Sequence, residues 1–442
     1  MIRCATNGPK NHLFGFHDLI AFNQTGDKLL SLEVDTINRP PLPQEKCNVG
    51  YVDLINNKFI KLGESNAYNY PQGARQQWLD NNTFIVNNQV GNHWGANIYD
   101  IENNSIISKL DSPCHCVTKD NKYAYSINYS RLHRLGGYGY IGIRDTTEFE
   151  ETPLNDGIYV TEISSNTTNL LLSIKEISEC DIESSTHNGF HHYVTHLVLS
   201  PDNKRIAFLH RFFLSDGGLR TRLMTVGIDG KNLRCLGYGF LSHFDWKDNN
   251  SIFIWGRTGS SIDAMRSNKI LSTPLIAPIL KDVKTILRLF LKRTKSLSNS
   301  FLIINDSDEH EVKHVAQGII NSDGHPMFSP VNRNLIICDT YPDKDESRYL
   351  FLYDFTKNKR TNIGYFKRLI EQPDISLESQ YTQGIDKRIL NLMSPELFSF
   401  TRSGLHCDLH PRWNCDGTMV AFDSIHEGSR QIYTVSIKDI EL

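Results

Sequence analysis

Five of the chain's 17 histidines occupy one repeated position. His115, His196, His243, His325 and His410 each stand four residues ahead of a polar turn. Arg75 holds the same place in a further copy, and in the first copy, where Leu19 stands there, His17 lies two residues earlier. Imidazoles titrate near neutrality, bind metals and carry protons. A lone histidine is ordinarily a hydrogen-bonded structural residue, but five in one register read as a shared site. Two chemistries fit. Neutral imidazoles of His243, His325 and His410 could hold a divalent cation: zinc, or manganese where carboxylates or water help. Asp245, Asp323 and Asp408 are the carboxylates placed to orient or join such ligands, with His406 and Cys407 as alternates. The second chemistry is acid–base work with anion binding, by His115, His133, Tyr193, His196 and Arg211, with Arg75 and His17 on the substrate. The Cys114-His115-Cys116 run has the look of a metal motif, but strand alternation turns both thiols away from His115 and into the core.

The elements that position these residues come from a repeat. A turn rich in Asn, Asp, Ser or Gly leads at once into an apolar strand, and this happens seven times, opening at Asn23, Leu79, Lys119, Ser200, Lys247, Ser329 and Asn414. Those residue types suit tight hairpins. Further strands follow most copies, which predicts an all-β chain: a seven-bladed β-propeller forming one domain over residues 1–442. The innermost strand of each blade lines a channel, so the register-matched histidines are expected to face a common axis. Met1–Thr6 is expected to complete the last blade. The insertions are a Gly/Tyr-rich loop over Asn128–Asn155, a short helix and polar loop over Ile174–Phe190, and an excursion over Lys367–Arg402. Residues 274–298 space Ile279, Val283, Ile286, Leu287 and Phe290 as one helical face, opposite Lys and Arg. This predicts an insertion helix packed on a blade, with a membrane-surface or partner-docking helix as the alternative.

Composition narrows the function. Lys+Arg is 47 against 50 Asp+Glu, so the strong basic excess of a general nucleic-acid binder is missing. No apolar run is long enough to span a bilayer. The N-terminus lacks a basic start followed by an apolar stretch, and the nine cysteines form no disulfide-like framework. The expectation is a cytoplasmic protein with reduced thiols.

The segments LFGFHD, PQGARQQWL, SRLHRLGGYGY, SHFDWKD, DGHPMFSP with DTYPD, and HCDLHPRW with FDSIHEG resemble the propeller polysaccharide lyases: the oligogalacturonate lyases and, somewhat more, the ulvan lyases. The resemblance covers most of the chain and extends to uncharacterised bacterial propellers. It implies cleavage of uronate-containing glycans by β-elimination. It makes His115 and His133 paired histidines, Tyr193 or His196 the base or acid, Arg211 the neutraliser of the sugar carboxylate, and His325 and His410 metal ligands. The implied partner is an acidic oligosaccharide or polysaccharide. The alternative is a non-catalytic propeller serving as a binding or assembly scaffold in polysaccharide metabolism. A hydrolase or transferase ranks third, because no carboxylate pair of the glycosidase kind stands out.

Overall fold

The computed structural model describes residues 1–180, 189–214, 217–258, 299–309, 311–368, 371–438 and 440–441. The expected helix at 274–298 lies outside the described residues.

The sequence repeats become antiparallel meanders, and in three of them the residue opening the turn holds the strand that follows. Asn23 Oδ1 accepts from the Lys28 backbone N–H at 3.0 Å, and Ser200 Oγ from that of Arg205 at 3.0 Å. Asn414 Oδ1 accepts from both Thr418 and Met419 at 2.9 Å. Left-handed residues complete these turns, among them Asn121, Asn203 and Gly417.

Two compact units make up the described chain, 1–146 with 159–169 and 324–442, and 147–158 with 170–323. In the first, Asn11–Leu13, Lys28–Val34, Cys47–Asp53 and Lys58–Ser65 form one four-stranded sheet. Gln77–Trp78, Thr83–Val90, His93–Asp100 and Ser105–Leu110 form another, and Met327–Phe328, Leu335–Asp339, Ser347–Asp354 and Lys359–Lys367 a third. Arg412–Trp413, Met419–Ser424 and Gln431–Ser436 take Ile2–Cys4 as their outer strand, with Ile2 opposite Val435, so the expected N-terminal contribution is observed. Apolar residues of successive sheets pack face to face. Leu30, Leu32 and Val52 meet Phe84 and Tyr99, and Leu350 and Leu352 meet Trp413 and Phe422. Each such side chain is at most 2% exposed, and burial of this kind contributes roughly 1.5–3 kcal/mol apiece. A further four-stranded sheet runs Cys116–Val117, Tyr123–Ile127, Gly157–Glu162, Thr167–Ser173.

The second unit carries one seven-stranded sheet from Phe190–Leu199 to Val312–Val315. Its 15-residue strand Arg234–Asp248 ends one meander and begins the next. Leu209, Leu223, Trp246, Ile254 and Leu302 form its core.

Four-stranded antiparallel meanders repeated along the chain are the blades of a β-propeller, and short helices interrupt them. The segment Asn128–Asn155, expected as loop, opens with helix α1 (Tyr129–Gly136). Asn128 caps it by accepting from the Arg131 N–H, and left-handed Gly137 ends it. Helix α2 (Ile174–Glu179) begins at a Ser173/Glu176 capping box. The 367–402 excursion holds α3 (Glu378–Tyr381), α4 (Lys387–Leu390) and α5 (Pro395–Arg402). None of the described helices is long and apolar enough to cross a membrane.

Candidate metal centre

The register-matched residues sit on breaks in the sheets rather than on regular strand. Arg75, His196 and His410 have φ of 53°, 59° and 44°. Strand pairing slips between Thr195 and Val198, and between Leu241 and Phe244, around His196 and His243. Arg75, His325 and His410 each come two residues before a two-residue inner strand. At these positions the bend, rather than strand alternation, aims the side chain.

In the first unit the bends bring His325, Asp408 and His410 together, one donor atom from each lying within 4.8 Å of the others. All three residues are buried. The third member of this group is Asp408, and His243 belongs to the second unit. His325 is fixed by Asp339: Met327 pairs with Ile337, and continuing that register sets His325 opposite Asp339. The carboxylate accepts from His325 Nδ1 at 2.9 Å, which leaves Nε2 as the ring atom for a ligand. His410 Nδ1–H donates to the Gly15 carbonyl at 2.8 Å, with the same result. Burial, reinforced by His325, keeps His410 well below the ordinary histidine pKa and therefore neutral. Burial pushes Asp408 up, but His406 and Arg348 outweigh it, and the carboxylate stays ionised well below its usual range. Arg348 Nε donates to Asp408 Oδ1 at 3.0 Å, and His406 Nε2 lies 3.1 Å from Oδ2.

His17 belongs to the same place. Its ring is 5.3 Å from that of His325 and 6.2 Å from that of His410. Phe16 and Tyr341 flank the pair, with ring centroids 5.1 Å from His410 and 5.8 Å from His325. Two imidazoles and an ionised carboxylate are a donor set that fits a divalent cation of the zinc or manganese type.

The remaining predicted residues have partners of their own. Arg75 forms a bidentate pair with Asp18 at 2.7 and 2.8 Å and donates twice to the His115 carbonyl. With Nε, Nη1 and Nη2 all engaged, it ties two loops together instead of presenting a free fork to substrate. His115 Nδ1 meets the Tyr129 hydroxyl at 2.9 Å, while its Nε2 is buried without a hydrogen-bond partner. Burial and Arg75 push its pKa well down. His133 on α1 is not paired with His115 by any hydrogen bond; its Nε2–H donates to the Gln383 carbonyl at 2.9 Å and fastens α1 to the 367–402 excursion. Cys114 and Cys116 are buried core thiols, as expected, and burial raises Cys114 to about 12.

In the second unit Tyr193 and Arg211 are direct cross-strand partners and share a face of the sheet. His196 and His243 have rings 6.4 Å apart, and His243 Nδ1 lies 3.1 Å from Asp323. The carboxylate of Asp245 accepts from the Trp246 N–H. A second histidine pair there is His192 with His210, Nδ1 to Nε2 at 3.0 Å.

Sequence reasoning missed Asp339, Gly15 and Tyr341. Asp339 had two available signals: it opens the segment DTYPD, and it is a carboxylate ending the apolar run Leu335–Cys338 and therefore due for burial. Gly15 acts through its carbonyl, which no residue type betrays.

No family model and no curated protein matches the chain. Among solved structures, oligogalacturonate lyase from Vibrio parahaemolyticus aligns over 99% of this chain and 94% of its own, at 13% identity and a TM-score of 0.57. An oligogalacturonate lyase in complex with manganese aligns over 99% and 93%, at 10% identity and a TM-score of 0.42. The β-propeller domain of the trilobed protease from Pyrococcus furiosus aligns over 81% and 80%, at 11% and 0.40. At such identities a likeness speaks to fold alone, and the first of these, together with the repeated meanders, shows that this chain has the β-propeller fold.

Proposed function

We propose that the protein is a divalent-metal lyase that cleaves uronate-containing oligosaccharides by β-elimination. The observation that carries the reading is the trio His325, Asp408 and His410, with both imidazoles oriented through Nδ1 so that their Nε2 atoms are left to coordinate. A cation held there would neutralise a sugar C6 carboxylate and so acidify the C5 proton. Asp339 and the Gly15 carbonyl hold the ligand rings in place. Elimination also needs a base for the C5 proton and an acid for the departing O4. Following the resemblance, we assign Tyr193 or His196 to one of those tasks and Arg211 to a sugar carboxylate. What supports them is the shared face of Tyr193 and Arg211 and the resemblance of the sequence segments. In this reading His115 and His133 serve as supports, given their ties to Tyr129 and Gln383.

The test is metal content and turnover together. Purified protein should carry close to one equivalent of zinc or manganese, lost in His325→Ala and in His410→Ala. Oligogalacturonate or ulvan oligosaccharide should give the ultraviolet absorbance of an unsaturated uronate only with the loaded protein. A metal-loaded protein with no turnover on uronate glycans would refute the lyase and leave the scaffold. A wild type that takes up neither metal would refute the centre itself.

A further inference from the structure

The strand Lys359–Lys367 is the outer strand of its four-stranded sheet in the first unit. With its flanks it carries Lys357, Lys359, Arg360, Lys367 and Arg368, and no Asp or Glu occurs from Phe355 to Ile370. The corresponding strand Lys58–Ser65 mixes two lysines with Glu64, and Ser105–Leu110 carries Lys109 alone. Charge on an outer strand commonly guards it against pairing with another chain. That task needs no aromatic, yet Tyr365, between Arg360 and Lys367, is 71% exposed. Cross-strand register puts these residues on one face. Tyr353 stands opposite Arg360, Phe351 opposite Asn362, Tyr349 opposite Tyr365 and Ser347 opposite Lys367. A register shift leaves Ile363 as the extra residue, so Asn362 and Tyr365 share the face although they are three apart.

Arg360 is built into this face. Its guanidinium lies 4.0 Å from the Phe351 ring centroid and 5.8 Å from that of Tyr349, and Nε donates to Asn362 Oδ1 at 2.8 Å. These contacts fix the guanidinium plane and leave Nη1 and Nη2 without a partner among the described residues. Burial holds the Arg360 pKa below the ordinary arginine value, and only Cys338 and Tyr349 oppose it, so no carboxylate compensates this half-buried cation. Lys359 and Lys367 also form no ion pair among the described residues, whereas Arg368 reaches Glu346 at 3.0 Å. A stacked guanidinium with its fork open is a receptor for a carboxylate. The exposed Tyr365 ring offers a flat apolar surface to the C–H face of a pyranose. From Arg360 to Lys367 the strand runs about 20 Å, so the matching ligand is a chain that repeats its anion rather than a single sugar. Single-stranded nucleic acid also combines anions with stacking rings, but one exposed ring on a chain of net charge −3 favours the glycan.

We propose that the face carrying Arg360, Asn362, Tyr365 and Lys367 is a non-catalytic docking surface for an acidic polysaccharide strand. Arg360 takes one sugar carboxylate, Tyr365 stacks on a ring and Lys367 takes a carboxylate further along the chain. The choice of polymer rests on the acidic-glycan reading above, while the surface itself does not depend on the elimination chemistry.

Affinity electrophoresis of the full chain through gels containing polygalacturonate, dextran or polyuridylate tests this. Polygalacturonate should retard the wild type, dextran should not, and polyuridylate should bind at least tenfold more weakly than polygalacturonate. Tyr365→Ser and Lys367→Gln, both at exposed positions, should each weaken polygalacturonate binding at least threefold. Arg360→Lys, which keeps the charge and loses the fork, should weaken it at least fivefold. Digalacturonate is too short to reach both cations, so its turnover, measured separately, reports on the lyase alone. A protein that leaves digalacturonate intact but loses polymer binding in these variants refutes the lyase and upholds the surface. The proposal is overturned if polygalacturonate does not retard the wild type, if the three variants are retarded as before, or if polyuridylate binds as tightly.

Discussion

Asp339 holds His325 at two points, accepting from its backbone N–H at 2.7 Å and from its ring Nδ1 at 2.9 Å. Its other oxygen accepts from the His410 backbone N–H at 3.1 Å, so one carboxylate places both imidazoles of the candidate metal centre.

Asp339→Asn should therefore weaken metal binding while the chain still folds. The amide keeps the volume but replaces one acceptor with a donor that faces an N–H. Partners of this kind typically contribute 10–100-fold in metal affinity. Competition titration with zinc or manganese against a chelating dye reads the loss, and an affinity equal to wild type would show that Asp339 serves the fold alone.

Gly15→Ala should destabilise the chain by about 2–4 kcal/mol. Gly15 has φ of +127°, and an added Cβ would sit 2.6 Å from the Gln72 carbonyl. The displaced loop also carries the carbonyl that orients His410, so metal affinity should fall with stability. Denaturant unfolding and metal titration on the same preparation give the two values.

The Asp18–Arg75 pair is buried, with side chains 3% and 0% exposed. Asp18→Asn leaves a buried guanidinium uncompensated and should cost about 3–5 kcal/mol. Urea unfolding measures it; a change under 1 kcal/mol would mean that water reaches the pair.

Acid should weaken the fold through two buried histidines that are not among the candidate metal ligands. Burial lowers both His12 and His133 to about 4 from the ordinary 6.5. Between those values the unfolded chain takes up protons that the folded chain does not, so stability is complete above pH 6.5 and falls as pH drops toward 4. The slope is about 1.4 kcal/mol per pH unit for each residue. Unfolding free energies across that range should show it, and His133→Gln, which can still donate to the Gln383 carbonyl, should remove about one proton's share.

The repeat itself was readable because turn chemistry is local. Asn23, Ser200 and Asn414 each capture a backbone N–H five residues ahead, so these openings announce their strands without help from the rest of the chain. The histidine register was readable for the same reason, being a fixed distance from each turn. Which way those histidines face was not. The bends at His196 and His410 take left-handed φ that strand alternation does not anticipate, and α1 stands where Gly and Tyr suggested loop.

Sequence alone determined the all-β repeat, the short list of candidate donors and the buried character of the Cys114 and Cys116 thiols. Tertiary structure decided which donors meet. Asp408 joins His325 and His410, Asp339 reaches His325 from 14 residues away, and Gly15 supplies its carbonyl to His410 across 395 residues. Periodicity fixes where a side chain lies along its own strand. Donors from separate blades come within a few ångströms only when the sheets pack, and that packing is a property of the whole buried core.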